Sequence, residues 1–134
     1  MFSLISSLRT TLCALAVVAA LPVLSSDGEG SLECSLDRGA TLFTKCAVCH
    51  NNDNSQTHGV VGPNLYQLMD RPVGKIEGYK FSSVMRKSSN SWTVEHLDAF
   101  LKEPMVHYPR TRMAFAGISS AQDRADLICF LSAD

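Results

Sequence analysis

Residues 46–50 read Cys-Ala-Val-Cys-His, two thiols three positions apart with an imidazole directly after the second. That spacing suits covalent haem attachment, in which the thiols add to the two vinyl groups and the histidine coordinates the iron. On a helical turn, positions i and i+3 share one face. Cys46 and Cys49 then reach one edge of a flat macrocycle while His50 turns toward the metal. Two other chemistries use part of the pattern. A dithiol redox pair of the thioredoxin kind expects a neighbouring βαβ pattern, and no such alternation is present. A zinc site needs two further Cys or His at ligand spacing, and His58 with His96 or His107 makes no recognised pair.

With His50 in one axial position, the other position decides the function: an open site binds small molecules, a closed one mainly passes electrons. The candidates are His58, His96, His107, Met69, Met85, Met105 and Met113. His96 falls within a predicted helix, and Met69 and Met85 lie in apolar company, where methionine serves as core filler. Met113 differs in context. It lies in the irregular run from Tyr108 to Gly117, between two predicted helices, where a side chain can be aimed at a metal.

The elements that must position these groups are helical. Leu36, Ala40, Phe43 and Ala47 recur at helical spacing behind Ser35 as N-cap, and the helix runs into the cysteine motif. Gly39 interrupts it at a cost of about 1 kcal/mol against alanine, which predicts a close helix crossing at that point. Residues 51–64 are a loop by composition. Leu65, Leu68 and Met69 suggest a short helix stopped by Pro72, and residues 74–91 have room for at most one more. Thr93 caps a helix with Val94, Leu97, Phe100 and Leu101 on one face, ended by Pro104. Met105 to Gly117 is turn-rich. Ser120 and Asp123 open a final helix carrying Leu127, Ile128 and Leu131. The class is all-α, with long loops that need something to wrap.

The chain has 134 residues, enough for one domain, and Lys+Arg 12 against Asp+Glu 13 gives a net charge of −1. That balance supplies no basic field for phosphates, which argues against nucleic acid as a partner. Residues 1–25 have the anatomy of a secretory signal peptide. Arg9 is the sole charge among the first 24 residues, and Thr10–Leu24 is an uncharged run of 15 residues. The run is shorter than the ~20 residues needed to span a bilayer and is broken by Pro22. An uncleaved N-terminal anchor is the competing reading. Residues 26–34 form a flexible lead-in and residues 35–134 the domain. Export, to the periplasm of a bacterium, implies an oxidising compartment.

Cys46-Ala-Val-Cys-His50, Gly62-Pro-Asn-Leu65, Gly78-Tyr79, Trp92, Tyr108-Pro-Arg-Thr-Arg-Met113-Ala-Phe-Ala-Gly117 and Asp123-Arg-Ala-Asp-Leu127 resemble, in order, the signature of the class I cytochromes c, small soluble monohaem proteins. The resemblance implies the cytochrome c fold, with N- and C-terminal helices crossing and short helices and loops wrapped around one covalent haem c. It implies thioethers at Cys46 and Cys49, axial ligation by His50 and Met113, and a hydrogen bond from the His50 ring to the Pro63 carbonyl. Arg71 and Trp92 would hold a haem propionate, with Tyr79 and Phe115 as further cofactor contacts. Gly39 would meet the last helix around residues 127–130. The sequence departs from many relatives where Phe81 and Phe100 replace tyrosines and Met85 replaces an asparagine. The lysine-rich rim is also thinned: Lys45, Arg110 and Arg112 remain, while Met105, Val106, Ser119 and Ser120 occupy positions where lysines are frequent.

Cys34 and Cys129 remain after the haem takes its pair. They fit either a disulfide between the two crossing helices or two buried free thiols. The function expected is that of a monomeric one-electron carrier between membrane-associated redox complexes, docking at most peripherally on the membrane complexes and without enzymatic activity of its own. The competing class is a peroxidase-like haem enzyme or gas-binding sensor in which Met113 leaves the iron.

Overall fold

A computed structural model describes residues 33–133. The readings made on residues 1–32, the signal peptide, the alternative anchor and most of the lead-in, lie outside the described residues. Among these described residues five helices follow in chain order: α1 (Leu36–Phe43), α2 (Ser83–Lys87), α3 (Val94–Lys102), α4 (Pro104–His107) and α5 (Ala121–Leu131). No strand occurs among the described residues, and the sole β-bridge is an isolated antiparallel one, Pro72 with Ser91.

Four of the five helices start by one device. A serine or threonine at the N-cap accepts a hydrogen bond from the backbone N–H three residues on: Ser35 from Arg38, Ser82 from Met85, Thr93 from His96 and Ser120 from Asp123. Each satisfies one of the orphan donors of the first turn. α4 instead starts with Pro104 in its first turn, where the missing N–H costs nothing. Pro104 therefore ends α3 and begins a further one-turn helix that the sequence pattern did not indicate.

α1 and α5 cross at Gly39. A Cβ there would lie 2.6 Å from Phe130 Cβ and 2.9 Å from the carbonyl carbon of Asp126, so only glycine lets the two backbones approach this closely. Around the crossing, Phe43 and Phe130 pack with ring centroids 5.3 Å apart. The buried Asp126 carboxylate accepts the Ser35 N–H at 2.9 Å and lies 3.2 Å from Arg38 Nε, and Arg38 also pairs with Asp123. Cys34 and Cys129 are joined across the same crossing, their Cα atoms 5.9 Å apart. α5 is tied to α3 by the Arg124–Asp98 ion pair at 2.7 Å. The core runs through Leu68, Val73, Phe81, Met85, Trp92, Leu97, Phe100, Leu101, Tyr108, Leu127, Ile128 and Leu131.

Three local expectations are corrected. The inward face of α1 is Gly39 with the half-buried Leu42 and Phe43, continued past its end by the half-buried Cys46, whereas Leu36 and Ala40 on the helix and Ala47 beyond it are exposed; the closest approach to α5 falls at the residue with no side chain, which a search for apolar spacing passes over. Val94 is likewise exposed on α3. Residues 65–69 form turns. Gln67 and Asp70 adopt positive φ of 51° and 60°, and the Arg71 guanidinium donates to the carbonyls of Tyr66 at 3.2 Å and Asn64 at 2.9 Å, acceptors that a helix would have used itself.

Candidate haem site

Beyond α1 the chain continues in helical turns: Cys46 N–H bonds to Phe43 O at 2.8 Å, and both Cys49 and His50 N–H bond to Cys46 O at 2.9 Å. This local winding sets Cys46, Cys49 and His50 on the wall of one cavity of about 510 Å³, within the range of about 300–1,000 Å³ typical of built ligand sites. The other predicted cofactor residues, Pro63, Arg71, Tyr79, Trp92, Met113 and Phe115, line the same cavity. Residues from 46 to 115 are thus brought to one hollow. Its remaining wall is largely apolar, with Leu68, Phe81, Met85, Leu97, Phe100 and Leu127 among the lining side chains.

The His50 ring is held from two sides. Its Nδ1 donates to the Pro63 carbonyl at 2.7 Å, and a Cβ on Gly62 would fall 2.5–2.8 Å from the ring atoms. The backbone of Gly62 is therefore pressed flat against the imidazole. Nε2 makes no hydrogen bond among the described residues and is left as a bare lone pair. Burial holds the His50 pKa below its ordinary value, partly offset by the Pro63 carbonyl. Cys46 and Cys49 are free of any disulfide. Burial pushes the Cys46 thiol up, as does the neighbouring Cys49, while Lys45 acts in the opposite direction.

The alternative axial candidates separate by position and by prior engagement. Met69, Met105, His58, His96 and His107 do not line the cavity; Met85 and Met113 do. The Met85 sulfur accepts a hydrogen bond from Thr111 Oγ1 at 3.7 Å, whereas the Met113 sulfur has no such partner among the described residues. The His58 ring is committed at both nitrogens, donating from Nε2 to Glu77 O at 2.9 Å and accepting the Asn64 N–H at Nδ1.

Arg71 sits on the cavity wall with part of its guanidinium occupied by the two backbone carbonyls, and burial lowers its pKa. The Tyr79 hydroxyl donates to Val61 O at 2.7 Å, and its ring packs edge-on against Phe81 at 4.8 Å. Thr111 was missed. Buried on the cavity wall, it both engages Met85 and accepts the Met113 N–H at 3.3 Å, so it fixes the start of the Met113 segment. A threonine two residues before a methionine in an irregular run is the local signal that would have found its bond to the Met113 N–H. Asn64, within the Gly62-Pro-Asn-Leu65 motif, has a structural role of its own. It organises the 51–64 loop, donating to the carbonyls of Asp53 and Thr57 at 2.9 and 3.0 Å and accepting the Tyr66 N–H at 2.8 Å.

The donor set fits a c-type haem: two unbonded thiols on one helical turn, a fixed imidazole with a free Nε2, an unengaged thioether, and apolar walls between. Fold and site together define a small helical haem-attachment domain. The Cytochrome c family profile matches residues 36–133, and the chain belongs to that family. A "Cytochrome c homolog" of Rickettsia felis is 41% identical over 95 residues, covering 71% of this chain and 54% of its own. "Cytochrome c-type cyt cy" of Rhodobacter capsulatus is 37% identical over 70% of this chain and 46% of its own. The "Cytochrome c" of Gibberella zeae is 36% identical over 72% and 91%. The chain thus spans about half the length of the two bacterial relatives and nearly all of the fungal one. The cofactor of the family, and so of this chain, is covalently attached haem c.

Proposed function

We propose that this chain is an exported one-electron carrier that moves electrons between membrane-associated redox complexes, with its haem joined to Cys46 and Cys49 and its iron held by His50 and Met113. The observation that supports the ligand assignment is selective availability: among the described histidines and methionines outside the Cys-X-X-Cys-His motif, only Met113 both lines the cavity and has a sulfur without a hydrogen bond. The bound haem supplies a one-electron iron couple. The residues do the rest. Pro63 orients the imidazole and raises its basicity. Thr111 sets the Met113 backbone. Arg71 and Trp92, both on the cavity wall, would supply donors to a haem propionate, since a carboxylate left unpaired against apolar walls is costly. Phe81, Phe100, Leu97 and Leu127 keep water from the centre, which disfavours exchange of the sixth ligand.

A closed site means that electrons pass through the exposed rim. Lys45 and Arg112 belong to that rim together with the exposed Val48 and Val61, so partners dock by a mixed surface of few cations and apolar contact. The signal at residues 1–25, a periplasmic location, a monomeric state and the 35–134 domain limits belong to the same reading. No helix among the described residues is long and apolar enough to cross a membrane. The test is stopped-flow oxidation and reduction of the purified holoprotein against membranes carrying respiratory complexes, with carbon monoxide added to the reduced form in a parallel sample. Rapid electron exchange with no spectral change on carbon monoxide is expected. Carbon monoxide binding or peroxide turnover at rates above the carrier reaction would replace the carrier by the haem-enzyme or sensor class.

A further inference from the structure

We propose that His96 and His107 form a binding site for a divalent first-row transition metal ion, zinc or copper(II), on the outer face of the α3–α4 corner and apart from the haem cavity. Their Nε2 atoms stand 3.3 Å apart. Two imidazole nitrogens each about 2.0–2.1 Å from one tetrahedral ion are separated by about 3.3–3.4 Å, so the two nitrogens already stand at chelating distance. A third donor is at hand, the Tyr108 hydroxyl, 2.8 Å from His96 Nε2 and also 3.0 Å from Ser88 Oγ. The serine can keep that hydroxyl satisfied when the imidazole lone pair turns to a metal.

The pair is held by the fold. Glu103 is at once the C-cap of α3 and the N-cap of α4, and Pro104 is buried in the joint. The His107 N–H bonds to Glu103 O at 2.9 Å and the Tyr108 N–H to Pro104 O at 2.9 Å. The His96 ring rests edge-on to Trp92 at 5.2 Å, and the His107 ring lies 6.3 Å from Phe100. Both histidines remain half-exposed, so an ion can enter carrying water. No group of three His, Cys, Asp or Glu assembles among the described residues. The site is therefore an open two-histidine chelate completed by the phenol or water, and it ranks copper(II) above zinc.

The experiment is calorimetric titration of the holoprotein with zinc and, separately, with copper(II), followed by electron paramagnetic resonance of the copper form. One ion per chain and a signal from two nitrogen ligands are expected. His96→Gln and His107→Gln, each checked for an unchanged haem spectrum, should weaken binding by at least about a hundredfold, because loss of one arm removes the chelate advantage. In the wild-type chain, zinc should protect both histidines from diethyl pyrocarbonate, a readout that needs no variant to fold. Absence of binding at millimolar metal, undiminished binding in the two variants, or modification of the histidines unaffected by zinc would overturn the site.

Discussion

Replacing Gly39 by alanine tests how the haem domain is closed. The added methyl would sit 2.6 Å from Phe130 Cβ, where ordinary contact begins at 3.4 Å, and closer still to the Asp126 carbonyl oxygen, so α1 and α5 must part by at least about 0.8 Å. A gap of that size forfeits a quarter to a half of the dispersion well of each atom pair facing it. The helices cannot part freely, since the Cys34–Cys129 link and the Ser35–Asp126 hydrogen bond hold them together beside the same point. Overpacking costs about 1–3 kcal/mol, and here the upper end applies. Alanine returns about 1 kcal/mol of helix propensity. The net expectation is a loss of about 2 kcal/mol, read as a lower denaturant midpoint of the ferric holoprotein. Ala40→Gly, on the exposed side of α1, provides the reference and should lose only the propensity term of about 1 kcal/mol. A Gly39→Ala protein as stable as the wild type would refute the crossing argument.

Replacing both Cys34 and Cys129 by serine should lower stability by up to about 4–5 kcal/mol, the chain-entropy value for closing a loop of 95 residues; equal denaturant midpoints would show that the bond contributes nothing. Below about pH 6.5 the protein should lose stability in part through His96. Its pKa is depressed in the fold, so the unfolded chain takes up that proton first and the folded state is penalised as the pH falls through the lower folded value. With a chelator present, His96→Gln should shrink the drop in midpoint between neutral and mildly acid buffer; an undiminished drop would place the effect elsewhere. Met105 and Val106 stand 53% and 71% exposed and put apolar rather than charged side chains on the surface, so electron-transfer rates with membrane partners should fall only modestly with ionic strength. A steep fall would restore a charge-steered docking mode.

What the sequence carried, it carried locally. The Cys46–His50 spacing, the Ser35, Thr93 and Ser120 caps, and the mismatch of Gly39 with its helix are each decided within a few residues, and each corresponds to a feature of the fold. The nine cofactor residues named from motifs and resemblance all line one cavity. Features set by distant partners were not legible. Residues 65–69 became turns because Arg71 takes two of their neighbouring carbonyls. The buried side of α1 is marked by an absent side chain, which apolar periodicity does not register. The Thr111–Met85 contact and the approach of His96 to His107 depend on how separate segments pack, and no local pattern announces either.

The ferric absorption spectrum of the purified holoprotein, taken beside those of Met113→Ala and Met85→Leu, tests the ligand assignment most directly. A thioether-to-iron charge-transfer band should be present in the wild type, persist in Met85→Leu and vanish in Met113→Ala. A colourless protein, or a band that survives the loss of Met113, would contradict it.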